Sequence, residues 1–255
     1  METVFLCEDS MEGIFTGVYD GWASKKGHAN IKLELKQCNT FRLFAEYINV
    51  KTDAQKARKV SDTVKNKMGE EALIHIMRAA LAVDDEKADA IYRTIVVGLA
   101  LKYKGKVMDC LSNPGVLKVF KLSRTVFYEA DHMKGFIRFK ELQNGVYFAK
   151  IAPKSHLLPI ISPHFADRLP NENWMIYDEN RGLFSIHAKQ KEWVLVEDEQ
   201  INIDTINKIS ENEERIQELW KCFFHTVSIK ERENYNLQRK NLPIRFRENV
   251  LEFNN

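Results

Sequence analysis

The sequence predicts an α+β protein, with a mostly helical N-terminal region and a C-terminal antiparallel sheet flanked by helices. Three observations predict it. Between residues 52 and 131 apolar side chains recur every three to four positions, the spacing of helices that bury one face. From residue 136 to 196 the period shortens to two, and the segments end in turn-forming residues. After residue 209 the helical spacing returns. Runs of helix followed by runs of strand are the pattern of an α+β chain, and no internal repeat interrupts it.

The elements follow in order. Residues 3–6 form a short apolar run that reads as a strand. Asp9 and Glu12 then stand three apart in a capping-box arrangement, with Asp9 as the expected N-cap. Met11, Ile14, Phe15, Val18, Tyr19 and Trp22 follow at helical spacing. Ile31, Leu33 and Leu35 alternate with charged neighbours, as in a half-buried strand, and residues 41–50 suggest another. Val60, Val64 and Met68 make one helical stripe; Leu73, Ile76, Met77, Ala80 and Leu81 make a second. Asp84-Asp85 breaks the pattern and can cap a helix carrying Ile91, Ile95 and Leu99. Asn113-Pro114 is a helix start, since the Asn side chain accepts from free N–H groups and proline's fixed φ suits the first turn. That helix carries Leu117, Phe120 and Phe127.

Residues 136–141 alternate and read as a strand; Gln143-Asn144-Gly145 is a hairpin turn, and 146–152 is the partner strand. Residues 157–169 read as a short helix, and 174–177, 183–187 and 193–196 as three further strands. Ile209, Ile216, Leu219, Trp220, Phe223, Phe224 and Val227 carry the last helical pattern. The division expected from these patterns is an N-terminal α/β region at 1–85 and an α+β domain at 86–255.

At 255 residues and 44% apolar content, the chain can bury enough surface to offset its entropy, which excludes disorder. No apolar stretch approaches the ~20 residues of a membrane span. Glu2, Glu8 and Asp9 replace the basic start of a secretory signal. Cys7, Cys38, Cys110 and Cys222 are scattered without a CxxC, so the reading is a cytoplasmic chain with neither disulfide framework nor zinc knuckle.

The net charge of +2 points to no polyanion by itself, but it conceals an uneven distribution. Eleven Lys/Arg face four Asp/Glu over 101–154, two face eight over 197–219, and seven face four over 220–255. A basic middle and tail surround an acidic insert, which is the footprint of a phosphate-binding surface as well as of ordinary solvated helix faces.

Gly-rich phosphate loops and GxSxG are absent, which argues against nucleotide hydrolysis and serine-hydrolase chemistry. His132, His156, His164 and His187 share one region but lack HxxxH or HExxH spacing, so no metal is expected and no cofactor is implied. His164 and Asp167 stand three apart in Ser162-Pro163-His164-Phe165-Ala166-Asp167-Arg168 and share a helix face; they are the candidate acid/base pair. Phe136–Lys140 interleaves aromatic and basic residues, and an exposed ring there could stack a base. The tail carries Arg232, Arg239, Lys240 and Arg245 between Leu237, Leu242 and Phe246, which would anchor it to the domain.

Several stretches in order resemble one family. These are Phe136-Ile137-Arg138-Phe139; Leu158-Pro159; Pro163-His164-Phe165-Ala166-Asp167-Arg168; Trp174-Met175-Ile176-Tyr177-Asp178; Arg181-Gly182; and the tail with Phe223-Phe224, Glu231-Arg232, Leu237-Gln238 and Pro243. Together with Asp9-Ser10-Met11-Glu12-Gly13 they resemble a bacterial family suspected of acting in DNA repair or DNA metabolism, whose shared domain is of unknown function. The resemblance covers nearly the whole chain. It departs at Asp131-His132, at Asn234-Tyr235-Asn236-Leu237-Gln238, which has one basic residue fewer than the family's tail, and at Ile244 and Arg247. It implies a radical-SAM partner suspected of modifying or repairing DNA. In some members it also implies fusion to a uracil-DNA glycosylase-like domain, which this chain lacks.

The expectation is therefore an accessory protein that binds DNA weakly and without sequence preference, with no membrane contact. Its contact residues are Arg138, Lys140, Arg168, Arg181, Arg232, Arg239, Lys240 and Arg245. The alternatives are an enzyme acting on nucleic acid through His164 and Asp167, and a protein-interaction module with no DNA contact.

Overall fold

The computed structural model describes residues 2–38, 42–101, 106–197, 209–227 and 229–253. The chain forms two compact units, Met1–Tyr128 and Glu129–Asn255. Phe41, part of the basic stretch (102–105) and much of the acidic insert (198–208) lie outside the described residues.

In the first unit the described strands form a three-stranded parallel sheet. β1 (Glu2–Cys7) lies in the centre, between β2 (Ile31–Leu35) and β3 (Ala45–Asn49). Helix α1 (Met11–Ala23) follows β1, and α2 (Ala54–Met68), α3 (Glu70–Ala80) and α4 (Lys87–Ala100) complete the layer. Phe5, Ile14, Phe15, Leu33, Val64, Ile76 and Ile91 belong to one buried cluster, so the stripes read from the sequence are its walls. Gly17 faces Cys7 so closely that a Cβ would lie 2.2 Å from the thiol sulfur. Burial pushes the Cys7 thiol up to about 12, which keeps it a protonated core residue.

The N-cap of α1 is Ser10, a correction to the expected Asp9. The Gly13 N–H donates to Ser10 Oγ at 2.9 Å, whereas the Asp9 carboxylate pairs with buried Lys87 and accepts from Gln37. The N-cap of α4 is Glu86, without a side-chain cap, a correction to the expected Asp84-Asp85; the Asp84 carboxylate instead accepts the Glu86 N–H at 3.0 Å in the turn just ahead of the helix. Asn113 likewise accepts from the N–H groups of Gly115 and Val116, and α5 (Pro114–Phe136) starts there.

The helix α5 runs on to Phe136, so the expected strand at 136–141 shrinks to β4 (Lys140–Glu141). Helical spacing wins at this point: Ala130 and Met133 are buried, and the Phe136 ring stacks on His132 four residues earlier, 5.9 Å between centroids. The hairpin turn is as read. Gly145 takes φ +75°, and its N–H reaches the Leu142 carbonyl at 2.9 Å.

The described strands of the second unit form a five-stranded sheet in the order β4, β5 (Tyr147–Ile151), β6 (Trp174–Asp178), β7 (Leu183–His187), β8 (Val194–Glu197). The sheet is mixed, a correction to the expected antiparallel one. β5 and β6 run parallel with Tyr147 beside Trp174, and the other neighbours are antiparallel. A parallel pair needs a crossover, which is helix α6 (Leu158–Arg168). Leu158, Ile161 and Phe165 are buried; Ser162 donates to Ser185 Oγ on β7 at 2.6 Å; and the Phe165 ring meets Trp174 edge-on. The other face of the sheet buries Leu142, Phe148 and Phe184. Beyond the sheet lie α7 (Glu211–Val227) and α8 (Tyr235–Asn241).

Phe165→Ala removes the centre of the α6 contact and is expected to lower stability by about 3–5 kcal/mol. Urea unfolding of the full chain reads this loss. A loss below about 1 kcal/mol would mean that Phe165 is not core.

Candidate functional site

A cleft of about 600 Å³ opens in the second unit, where α5 and α6 both end. Three short segments build it. The end of α5 and the residues after it bring Lys134, Ile137, Arg138 and Phe139; the end of α6 brings His164, Phe165, Arg168 and Leu169. The sheet side brings Tyr147 and Glu172.

The crossover puts these groups together. A helix that returns from the end of β5 to the start of β6 must itself end near the starts of both strands. Tyr147 opens β5 and Glu172 lies just ahead of β6, with the Tyr147 N–H donating to the Asn173 carbonyl at 2.9 Å. The floor is rigid. Trp174 is fully buried, with His187 stacked 5.0 Å away and Phe139 and Phe165 meeting its ring edge-on. His187 Nδ1 is also 3.0 Å from the Glu172 carbonyl, which fixes the turn carrying that carboxylate.

The rim is cationic. Arg138 and Arg168 are exposed and Lys134 half-buried, against the single carboxylate of Glu172 in the lining. Arg138 also donates to the Gly135 and Ile137 carbonyls, capping the end of α5. Partial burial lowers the pKa of His164, the cations of Lys134 and Arg168 lower it further, and Asp167 only partly opposes them. These effects favour the neutral imidazole. Burial raises the Tyr147 phenol, with Glu141 and Glu172 adding to the effect.

Of the residues singled out in the sequence, the cleft gathers Arg138, His164 and Arg168. Asp167 is exposed and outside the lining, and no hydrogen bond joins it to His164 among the described residues, as an acid/base pair needs.

Lys140 lies on the opposite face of the sheet, over the Phe148 ring at 5.3 Å; burial lowers its pKa, opposed by Glu213. Arg181 is engaged at the far end of β6, roughly 13 Å along the strand. It pairs with the fully buried Asp178 at 3.0 Å and donates to the Pro153 and Lys154 carbonyls. Burial raises the Asp178 carboxyl and Arg181 pulls it back. Arg245 lies over the Phe246 ring and 3.8 Å from buried Glu129. Arg232, Arg239 and Lys240 are exposed on the tail and outside the cleft lining.

Sequence reasoning missed Lys134, Tyr147 and Glu172. Lys134 carried a usable signal, a cation in the last turn of a helix. Tyr147 and Glu172 carried none, because only the parallel register places them here. Among the described residues, no group of three or more His, Cys, Asp or Glu side chains could hold a metal ion. No helix among them is long and apolar enough to cross a membrane.

Fold and site together define an α+β protein with a cationic, aromatic-walled cleft. The chain belongs to the DUF4130 family, a domain of unknown function, whose pattern matches residues 85–252. No curated protein matches it. Among solved structures it is similar to a DHH domain described as a member of the s1p family of ribosomal proteins, at 11% identity over 74% of each chain and a TM-score of 0.33.

The His164 titration has a sign that can be checked. Its folded pKa is lowered, so folding disfavours the imidazolium, and the stability this costs is lost as pH falls below the unfolded value. NMR titration of the full chain is expected to give a midpoint below about 6.5, rising when Lys134 and Arg168 are both changed to Gln. A midpoint above that value would mean that Asp167 outweighs burial and the two cations.

Proposed function

We propose that the chain is a DNA-binding accessory protein of repair or modification, and that its cleft is the contact. The observation that supports this reading is the convergence of Lys134, Arg138 and Arg168 from two segments some thirty residues apart. Lys and Arg neutralise phosphates without reading sequence, so three of them give weak, salt-sensitive, non-specific binding. The family resemblance supports a radical-SAM partner as the source of the chemistry.

A second reading, a protein-interaction module without DNA contact, has its own support. Ile216, Leu219, Trp220, Phe223 and Val227 lie on one side of α7 and are 41–59% exposed.

Anisotropy titration of the full chain with labelled DNA separates the two. Binding is expected below about 50 μM protein at about 50 mM salt, with log K against log salt sloping near −2 for a single strand. Lys134→Gln and Arg168→Gln should each flatten that slope by up to about 1, and Lys140→Gln should leave it unchanged. If neither single- nor double-stranded DNA binds under those conditions, direct contact is wrong and the interaction reading takes its place.

A further inference from the structure

We infer that the cleft takes one nucleotide of an unpaired strand, with its phosphate at the Lys134–Arg138–Arg168 rim and its base against the Phe139–Leu169 wall, the base edge toward Glu172. The inference rests on the reading that this cleft contacts DNA, and it adds which form of DNA and which part enters.

Size sets the first limit. At about 600 Å³ the cleft is in the range that encloses one small ligand, such as a nucleotide unit. The chemistry of the lining also changes with depth. Arg138 and Arg168 are exposed, Phe139 and Leu169 are half-buried, and Phe165 is nearly closed from solvent. A ligand that fits this order has an anionic head and a flat, apolar body. Duplex DNA presents only the head, because its ring faces are stacked inward; an unpaired nucleotide offers both.

Charge polarity supplies the orientation. The cations come from the ends of α5 and α6, and the one lining carboxylate, Glu172, from the turn between α6 and β6, where its N–H donates to the Leu169 carbonyl; it is exposed, as Arg138 and Arg168 are. A phosphate is drawn to the first and repelled by the second. A carboxylate accepts hydrogen bonds and donates none, so the group Glu172 suits is a base N–H or exocyclic amine.

The test varies the ligand first, and that comparison does not depend on a variant folding. The full chain is titrated with three labelled probes of one length at one salt concentration: a single strand, the same strand with abasic sites throughout, and the duplex. The base-bearing strand is expected to bind about tenfold tighter than either of the others. Glu172→Ala should narrow its advantage over the abasic strand about fivefold. Equal binding of base-bearing and abasic strands, tighter binding of the duplex, or a gap that Glu172→Ala leaves unchanged would each overturn the nucleotide pocket while leaving DNA binding standing. No binding by any probe overturns both.

Discussion

The parallel pairing of β5 with β6 is the constraint on which the C-terminal unit depends. Tyr147 lies beside Trp174, and Ile151 beside Asp178. A chain leaving one end of β5 can enter β6 in parallel only after crossing the length of the sheet. Helix α6 makes that crossing, held down by Leu158, Ile161, Phe165 and the Ser162–Ser185 hydrogen bond. Its last turn therefore comes to the starts of the two strands, bringing His164 and Arg168 to Tyr147 and Glu172. An antiparallel pair closed by a tight turn would leave no helix there.

The two ends of that strand pair carry different work. At the far end, polar groups serve the fold. Asp178 is buried and held by Arg181 and the Asn180 N–H, while Glu129 accepts the N–H groups of Lys154 and Ser155. Breaking such buried pairs leaves charge unpaired in the core, so these cations and carboxylates are committed to structure. At the near end Arg138 and Arg168 are exposed and Lys134 is half-buried. Helix stability alone favours positive charge at the C-terminal ends of α5 and α6, by about 0.3–1 kcal/mol each. That accounts for a cation in each last turn, but it does not require both to line one cleft with an aromatic floor.

Much of this was legible in the sequence, and the rest was not for identifiable reasons. Asn113-Pro114 and Asn144-Gly145 act through their own backbone, so they read correctly without tertiary information. Residues 136–141 misled because aromatic alternation over so short a span also fits the end of a helix; the contact of His132 with Phe136 decides it. Strand direction is invisible to a period of two, so the parallel pair was read as antiparallel. In the cleft, His164 and Arg168 share a helix and were seen together. Lys134, Tyr147 and Glu172 belong with them only through the crossover. The sequence offers Arg181 as a DNA contact, but nothing in it shows that Asp178, three residues earlier, is fully buried and paired with it.

The central claim is that the strand meets the protein at the starts of β5 and β6. The direct measurement is the backbone amide NMR spectrum of the full chain, titrated with an unlabelled single-stranded oligonucleotide. The largest shifts are expected at Gly135, Arg138, Arg168, Leu169 and Glu172, with Arg181 and Lys240 unmoved. Shifts centred on the tail around Arg239 and Lys240, with the cleft amides silent, would contradict it.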